Sequence, residues 1–181
     1  MKKYLFILIV LFSLNSIVSA QSFVLTAENF KDMSNLDNDY IVVNVDGLSK
    51  NEAFKRTKSF INTYYNSPKN VTSEVDNEQI VIDAKTSKAI RAIYRFSGGN
   101  LWVMEYKIEF LVKDGKILFR PLFKRLDNIE DGSSVGLTNG VFNKKGEVKK
   151  KNANEAMNKE INLILSDFTK YMSNSSEKTD W

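Results

Sequence analysis

The sequence predicts an α+β fold, a curved antiparallel sheet with two helices packed on one face, in the order β-α-β-β-β-β-β-α. Three observations carry this. Apolar residues recur at three- and four-residue spacing in two segments, near residues 49–66 and 153–173. Between them, runs of two-residue alternation are separated by turn signals. No helical pattern separates these runs, so they pair antiparallel and leave the helices on one side.

The chain opens with a segment outside that fold. Lys2 and Lys3 precede the apolar run Tyr4–Phe12, and Val18-Ser19-Ala20 places small residues before Gln21. This is the pattern of a cleaved secretory signal peptide over residues 1–20. The apolar run is shorter than the ~20 residues a bilayer span needs. The remaining chain, roughly 160 residues, suits one domain. Residues 21–39 read as an N-terminal extension, 40–173 as the domain, and 174–181 as a fraying tail.

Composition excludes several function classes. The chain has no cysteine, so an exported form has neither disulfides nor a lipid anchor at cysteine, and its core must carry the stability. It has no histidine, which removes Ser-His-Asp and Cys-His catalysis and histidine-ligated metals. No EF-hand-like loop and no glycine-rich phosphate loop is present. The formal charge of +4 includes Lys2 and Lys3, and the small excess left does not point to nucleic acid. No catalytic, cofactor-binding or metal-ligating residue is therefore assigned, and no cofactor is expected.

Along the chain, Tyr40–Val45 is a short β-branched run and so a strand; Asp46-Gly47 turns the chain. Ser49 and Glu52 have capping-box spacing at a helix start. Ala53, Phe54, Thr57, Phe60, Ile61, Tyr64 and Tyr65 make one helical stripe, which Pro68 stops. Val71–Val75 and Gln79–Lys85 read as a hairpin, and Ala89–Phe96 as a further strand ended by Ser-Gly-Gly-Asn. A long strand runs from Leu101 to Lys113. Asn152 and Glu155 suit the cap of the last helix, whose stripe is Ala156, Met157, Ile161, Ile164, Leu165, Phe168 and Met172.

Asp114-Gly115 is a two-residue hairpin signal of the type that takes positive φ at both positions. It sets Lys113 opposite Lys116, Phe110 opposite Phe119 and Val112 opposite Ile117. On the other face Glu109 meets Arg120 and Glu105 meets Lys124. A slip of one residue would destroy both patterns. Pro121 cannot donate to a ladder, so the second strand is expected at an edge past Arg120.

The charged face is half apolar. Leu101, Val103, Leu111, Leu118 and Leu122 share it with Arg120 and form a candidate partner face. Either residues 21–39 or 127–151 cover it, or it meets a partner. Residues 127–151 lack periodicity and read as a long flexible arm. Its Lys144, Lys145, Lys149, Lys150 and Lys151 are candidate contacts for an anionic membrane surface, or else a solvated charge run.

Three stretches, "DYIVVNVDGLSKNEAFKRTKSFI", "YNSPKNVTSEVDNEQIVI" and "EYKIEFLVKDGKILFRP", resemble in that order a family of unknown function with a TATA-box-binding-protein-like (TBP-like) fold, found in exported proteins of Bacteroides-type bacteria. The resemblance spans Tyr40 to Phe123. Its marks are the Gly47-x-Ser49 helix entry, the Tyr-x-x-Pro-Lys stretch from Tyr65 to Lys69, and the Lys-Asp-Gly hairpin. It implies the fold, not DNA binding, and brings no active site with it.

The expectation for function is an exported periplasmic or envelope binding module, non-enzymatic, using the open sheet face for an envelope protein or peptide. The alternatives are a small enzyme with a carboxylate or lysine site, and peripheral contact of the lysine arm with anionic membrane.

Overall fold

The computed structural model describes residues 21–65, 71–86, 88, 90–94 and 97–174. The segment expected as a signal peptide, the expected helix stop at Pro68 and the tail beyond Asn174 lie outside the described residues. Strands β3 (Ile41–Asn44), β4 (Val71–Val75), β5 (Gln79–Lys85), β6 (Ile90–Tyr94), β7 (Ser97–Lys113), β8 (Lys116–Asn128) and β9 (Ser134–Val135) form one sheet. Its central order is β3-β8-β7-β5-β4; β6 adds to β7, and β9 to β8. Every pairing is antiparallel. A separate hairpin joins β1 (Phe23–Leu25) to β2 (Phe30–Asp32). The helices are α1 (Lys50–Tyr64), α2 (Leu137–Gly140) and α3 (Lys151–Asn174).

The β7–β8 register is the expected one from the turn to Tyr106 and Phe123: Phe110 pairs with Phe119, Glu109 with Arg120 and Lys113 with Lys116. Two details differ. Among the described non-glycine residues only Asn77 takes positive φ, so at the turn only Gly115 does, at +68°. Asp114 stays in the ordinary region, and its carboxylate accepts the Lys50 N–H at 2.7 Å, at the start of α1. The second difference is a bulge. Past Tyr106 the register shifts, and Glu105 pairs with Arg125 rather than Lys124. Lys124 and Arg125 both stay exposed, because the extra residue resets the alternation.

Pro121 sits where a missing N–H does no harm. β3 covers β8 only as far as Phe119. The Phe123 N–H, pointing the same way two residues on, finds no strand there and donates to Asn29 Oδ1 at 2.8 Å.

Both long helices pack on the face bearing Phe110 and Phe119. Phe168 of α3 is the meeting point, with ring centroids 5.1 Å from Phe60, 5.1 Å from Phe110 and 6.0 Å from Phe119. The Ser49–Glu52 capping box starts α1 as expected. α3 begins at Lys151, so Asn152 lies inside it rather than capping it.

The two segments expected as covers of the open face, 21–39 and 127–151, fold largely elsewhere; only the end of the first reaches that face, where Asp39 meets Arg120. Residues 21–32 form β1–β2, which packs on the core side: Phe23 meets Phe119 at 5.9 Å, and Phe23, Leu25 and Phe30 are buried. Asn158 Oδ1 of α3 accepts the Leu25 N–H at 2.6 Å. Asn162 accepts the Phe23 N–H at 2.7 Å and donates to the Phe23 carbonyl at 2.9 Å. Residues 127–151 are a folded segment rather than a flexible arm. β9 pairs with β8, and Leu137, Val141 and Phe142 join the core. Gly140 is held so close that a Cβ would lie 2.8 Å from Val135 Cγ2. Non-local pairing and isolated apolar residues order this segment, and neither has a period to read.

Candidate functional site on the open sheet face

Alternation places odd-numbered residues of β7 and even-numbered residues of early β8 on the face away from the helices. The candidate partner residues there divide into separate groups. Leu111 pairs with Leu118, and Leu118 with Val42, so three apolar side chains stand in a row across β7, β8 and β3. With Tyr40, Lys113 and Lys116 they line an open hollow of ≈ 250 Å³. From the sequence, Tyr40 and Val42 read only as part of a buried strand. Their signal is nonetheless there, since Ile41 and Val43 are buried and alternation turns Tyr40 and Val42 the other way.

Next along the face comes Arg120. Its guanidinium lies 5.9 Å from the Tyr40 ring, 3.2 Å from Asp39 and 3.3 Å from Glu109. Leu122 is next, opposite Lys107. A belt of matched charges then crosses the sheet. Lys124 Nζ lies 2.8 Å from Glu105 and 3.4 Å from Asp83, and Arg125 also reaches Glu105. Lys85 lies 2.9 Å from Asp127, which Arg125 approaches at 2.8 Å. The Lys124 hydrogen bond lowers the Glu105 pKa against the opposing effect of burial. Asp127 is lowered to about 2, chiefly by hydrogen bonds from Lys85 and Ser134.

Leu101 and Val103 lie beyond this belt. Val103 is eight residues from Leu111 on the same strand, about 26 Å at strand rise. The five apolar candidates therefore do not form one patch; Leu111 and Leu118 are the pair brought together.

The lysines are dispersed. Lys144 and Lys145 lie on an exposed turn organised by Asn143, whose side chain accepts the Lys145 and Glu147 N–H groups. Lys149 is exposed and Lys150 half-buried just before α3; Lys151 opens the helix, 3.7 Å from Glu155.

A second cavity, ≈ 310 Å³, lies between α1, α3 and the β5–β6 connection, lined by Tyr64, Thr86, Lys88, Ile90, Glu160 and Leu163 among others. Burial raises the Glu160 pKa, with Lys88 opposing. Nearby, the Tyr65 and Tyr106 hydroxyls lie 3.5 Å apart. Burial raises both phenols. Among the described residues Glu160 is the only carboxylate lining this cavity, which Lys88 and Lys159 also line.

Sheet, helices and open face define an α+β domain of the TBP-like class. Residues 40–120 match the DUF4468 family, a domain of unknown function with TBP-like fold, and the resemblance read in the sequence is thereby shown. The fold is similar to that of a DUF4468 family protein from Bacteroides ovatus, at 11% identity and TM-score 0.54, covering 74% of this chain and 84% of that one. It is also similar to that of a TBP-like protein from Parabacteroides distasonis, at 14% identity and TM-score 0.57, covering 75% of this chain and 91% of that one. No curated protein matches the chain.

Proposed function

We propose that this protein is an exported envelope binding module that holds a protein or peptide partner on its open sheet face. The observation that carries the reading is the row Val42–Leu118–Leu111, apolar side chains adjacent on the face opposite the core. Of the two segments expected as covers, 21–39 and 127–151, the apolar residues Phe23, Leu25, Phe30, Leu137, Val141 and Phe142 pack into the core instead of on this row, and Asp39 meets Arg120 beside it. A solvated sheet face has no need of such a row, and apolar surface set among polar groups is characteristic of interaction sites. The mixed charge of the face favours a protein over a membrane. Asp39, Asp83, Glu105, Glu109 and Asp127 pair with Arg120, Lys124, Arg125 and Lys85, a pattern of both signs that complements a protein surface better than a uniformly anionic bilayer. Export rests on the Lys2-Lys3 start, the short apolar run and the Val18-Ser19-Ala20 end.

The test changes Leu111 and Leu118 together to Thr, which keeps strand propensity and removes apolar surface. Urea stability should shift by less than about 1 kcal/mol per site, while crosslinked capture of the partner from the native envelope is lost. A drop of about 2–5 kcal/mol per leucine would show that the row is buried by the chain itself, and the reading would fall. N-terminal sequencing of exported material should begin at Gln21; an intact Met1 form in the membrane would refute the export half.

A further inference from the structure

The hollow has a charge as well as an apolar floor. Lys113 and Lys116 line it and stand directly opposite each other at the end of the β7–β8 hairpin, both exposed. Like charges facing across a ladder destabilise it. Elsewhere on the face most bases are matched: Arg120 by Asp39 and Glu109, Lys124 by Asp83 and Glu105, Lys85 by Asp127; Lys107, opposite Leu122, stands singly rather than facing a second cation. Among the described residues, no carboxylate forms an ion pair with Lys113 or Lys116. The acid between them in sequence, Asp114, faces away to hold the Lys50 N–H at the start of α1. Two unmatched positive charges are thus fixed beside Val42, Leu111 and Leu118.

We infer that the hollow takes a peptide segment carrying a large apolar side chain next to a carboxylate. The apolar side chain lies on the floor of Val42, Leu111 and Leu118 beside the Tyr40 ring, and the carboxylate lies between the Lys113 and Lys116 ammonium groups. The size of the hollow supports this occupant. At ≈ 250 Å³ it is below the range that encloses a drug-sized cofactor, and it suits one anchoring side chain of a longer segment. The charge of the partner is set by the lysine pair, which an anion would relieve and a cation would worsen. The inference rests on the open-face reading and gives it a partner chemistry.

The test is selection of a random peptide library displayed on phage against the protein purified as expressed from its full chain, with anisotropy titration of a labelled selected peptide. Selected sequences should join Leu, Phe or Trp to a neighbouring Asp or Glu. Lys113→Gln with Lys116→Gln should weaken binding about tenfold at low ionic strength, with the gap closing as salt rises. Both lysines are exposed and their repulsion is relieved by the change, so a urea midpoint that is unchanged or slightly raised is the folding control. Leu111→Thr with Leu118→Thr should abolish binding. Selected peptides without a carboxylate, or titrations insensitive to the lysine pair, would overturn the inference. So would phosphatidylglycerol vesicles, or a second copy of the protein, binding through Lys113 and Lys116 in place of peptides. If capture of the native partner depends on the leucines but not on the lysines, the open-face reading stands and this inference falls. If it depends on neither, both fall.

Discussion

Phe110 and Phe119 stand opposite each other across β7 and β8 and meet edge to face, with centroids 5.3 Å apart and ring planes at 86°. One residue further on, the same register puts Glu109 beside Arg120 on the other face. The two pairs should differ sharply in energy. Phe110 is fully buried, and its replacement by Ala should destabilise the fold by about 3–5 kcal/mol. Arg120→Ala should cost less, about 1 kcal/mol, because its pairs with Glu109 and Asp39 are only part-buried. Urea melts of the two variants rank them, and the reverse order would mean the faces are inverted.

The hairpin β1–β2 hangs on the side chain of Asn162, which holds both the N–H and the carbonyl of Phe23. Asn162→Leu should leave that backbone unsatisfied at a cost of about 1–3 kcal/mol. Amide exchange at Phe23 and Leu25 should accelerate well beyond that at Phe110. Equal acceleration throughout would show that the hairpin does not open as a separate unit.

Acid should loosen the charge belt. Asp127 is held at about 2 against an ordinary 3.8, so its contribution is present above the ordinary range and is lost as pH falls toward 2. Glu105 is lowered in the same sense. Asp127→Asn should therefore be less stable than the parent at pH 6 and converge with it near pH 2. A gap independent of pH would place the effect in packing rather than ionisation.

At the alkaline end the sign reverses. Burial raises Tyr64 to about 12 from an ordinary 10.0, and raises Tyr65 and Tyr106 as well. The unfolded chain loses these protons first, so stability is intact below about pH 10 and declines as pH rises above it. Phenolate absorbance should appear in two stages, exposed tyrosines first and the buried pair on unfolding. Tyr106→Phe should make the alkaline decline shallower.

The hairpin, the α1 cap and the core face were legible because each rests on local spacing: Ser49 to Glu52, the period of α1, the alternation around Asp114-Gly115. The bulge was less so, although two consecutive bases, Lys124-Arg125, break an otherwise regular alternation and are its trace in the sequence. β1, β2 and β9 are too short to show a period; β1 is held by the distant Asn158 and Asn162, β2 pairs with β1, and β9 pairs with β8 at Leu126. The candidate face was half legible. Leu111 and Leu118 came from the register, but their neighbour Val42 needed the strand order β3-β8-β7, which no local pattern contains.

The asparagines of α3 also govern when the chain can finish folding. They are made late, and they complete the hydrogen bonds of strand β1, which is made early. Contacts of such long sequence separation form late. Until α3 has emerged, the N-terminal hairpin has no partner for its inner edge, and Phe23 and Phe30 have no closed core to enter. A chain leaving a ribosome or a translocation pore therefore stays incompletely folded until α3 is through. On the proposed export route the chain must cross the membrane before it folds, and the topology itself supplies the delay.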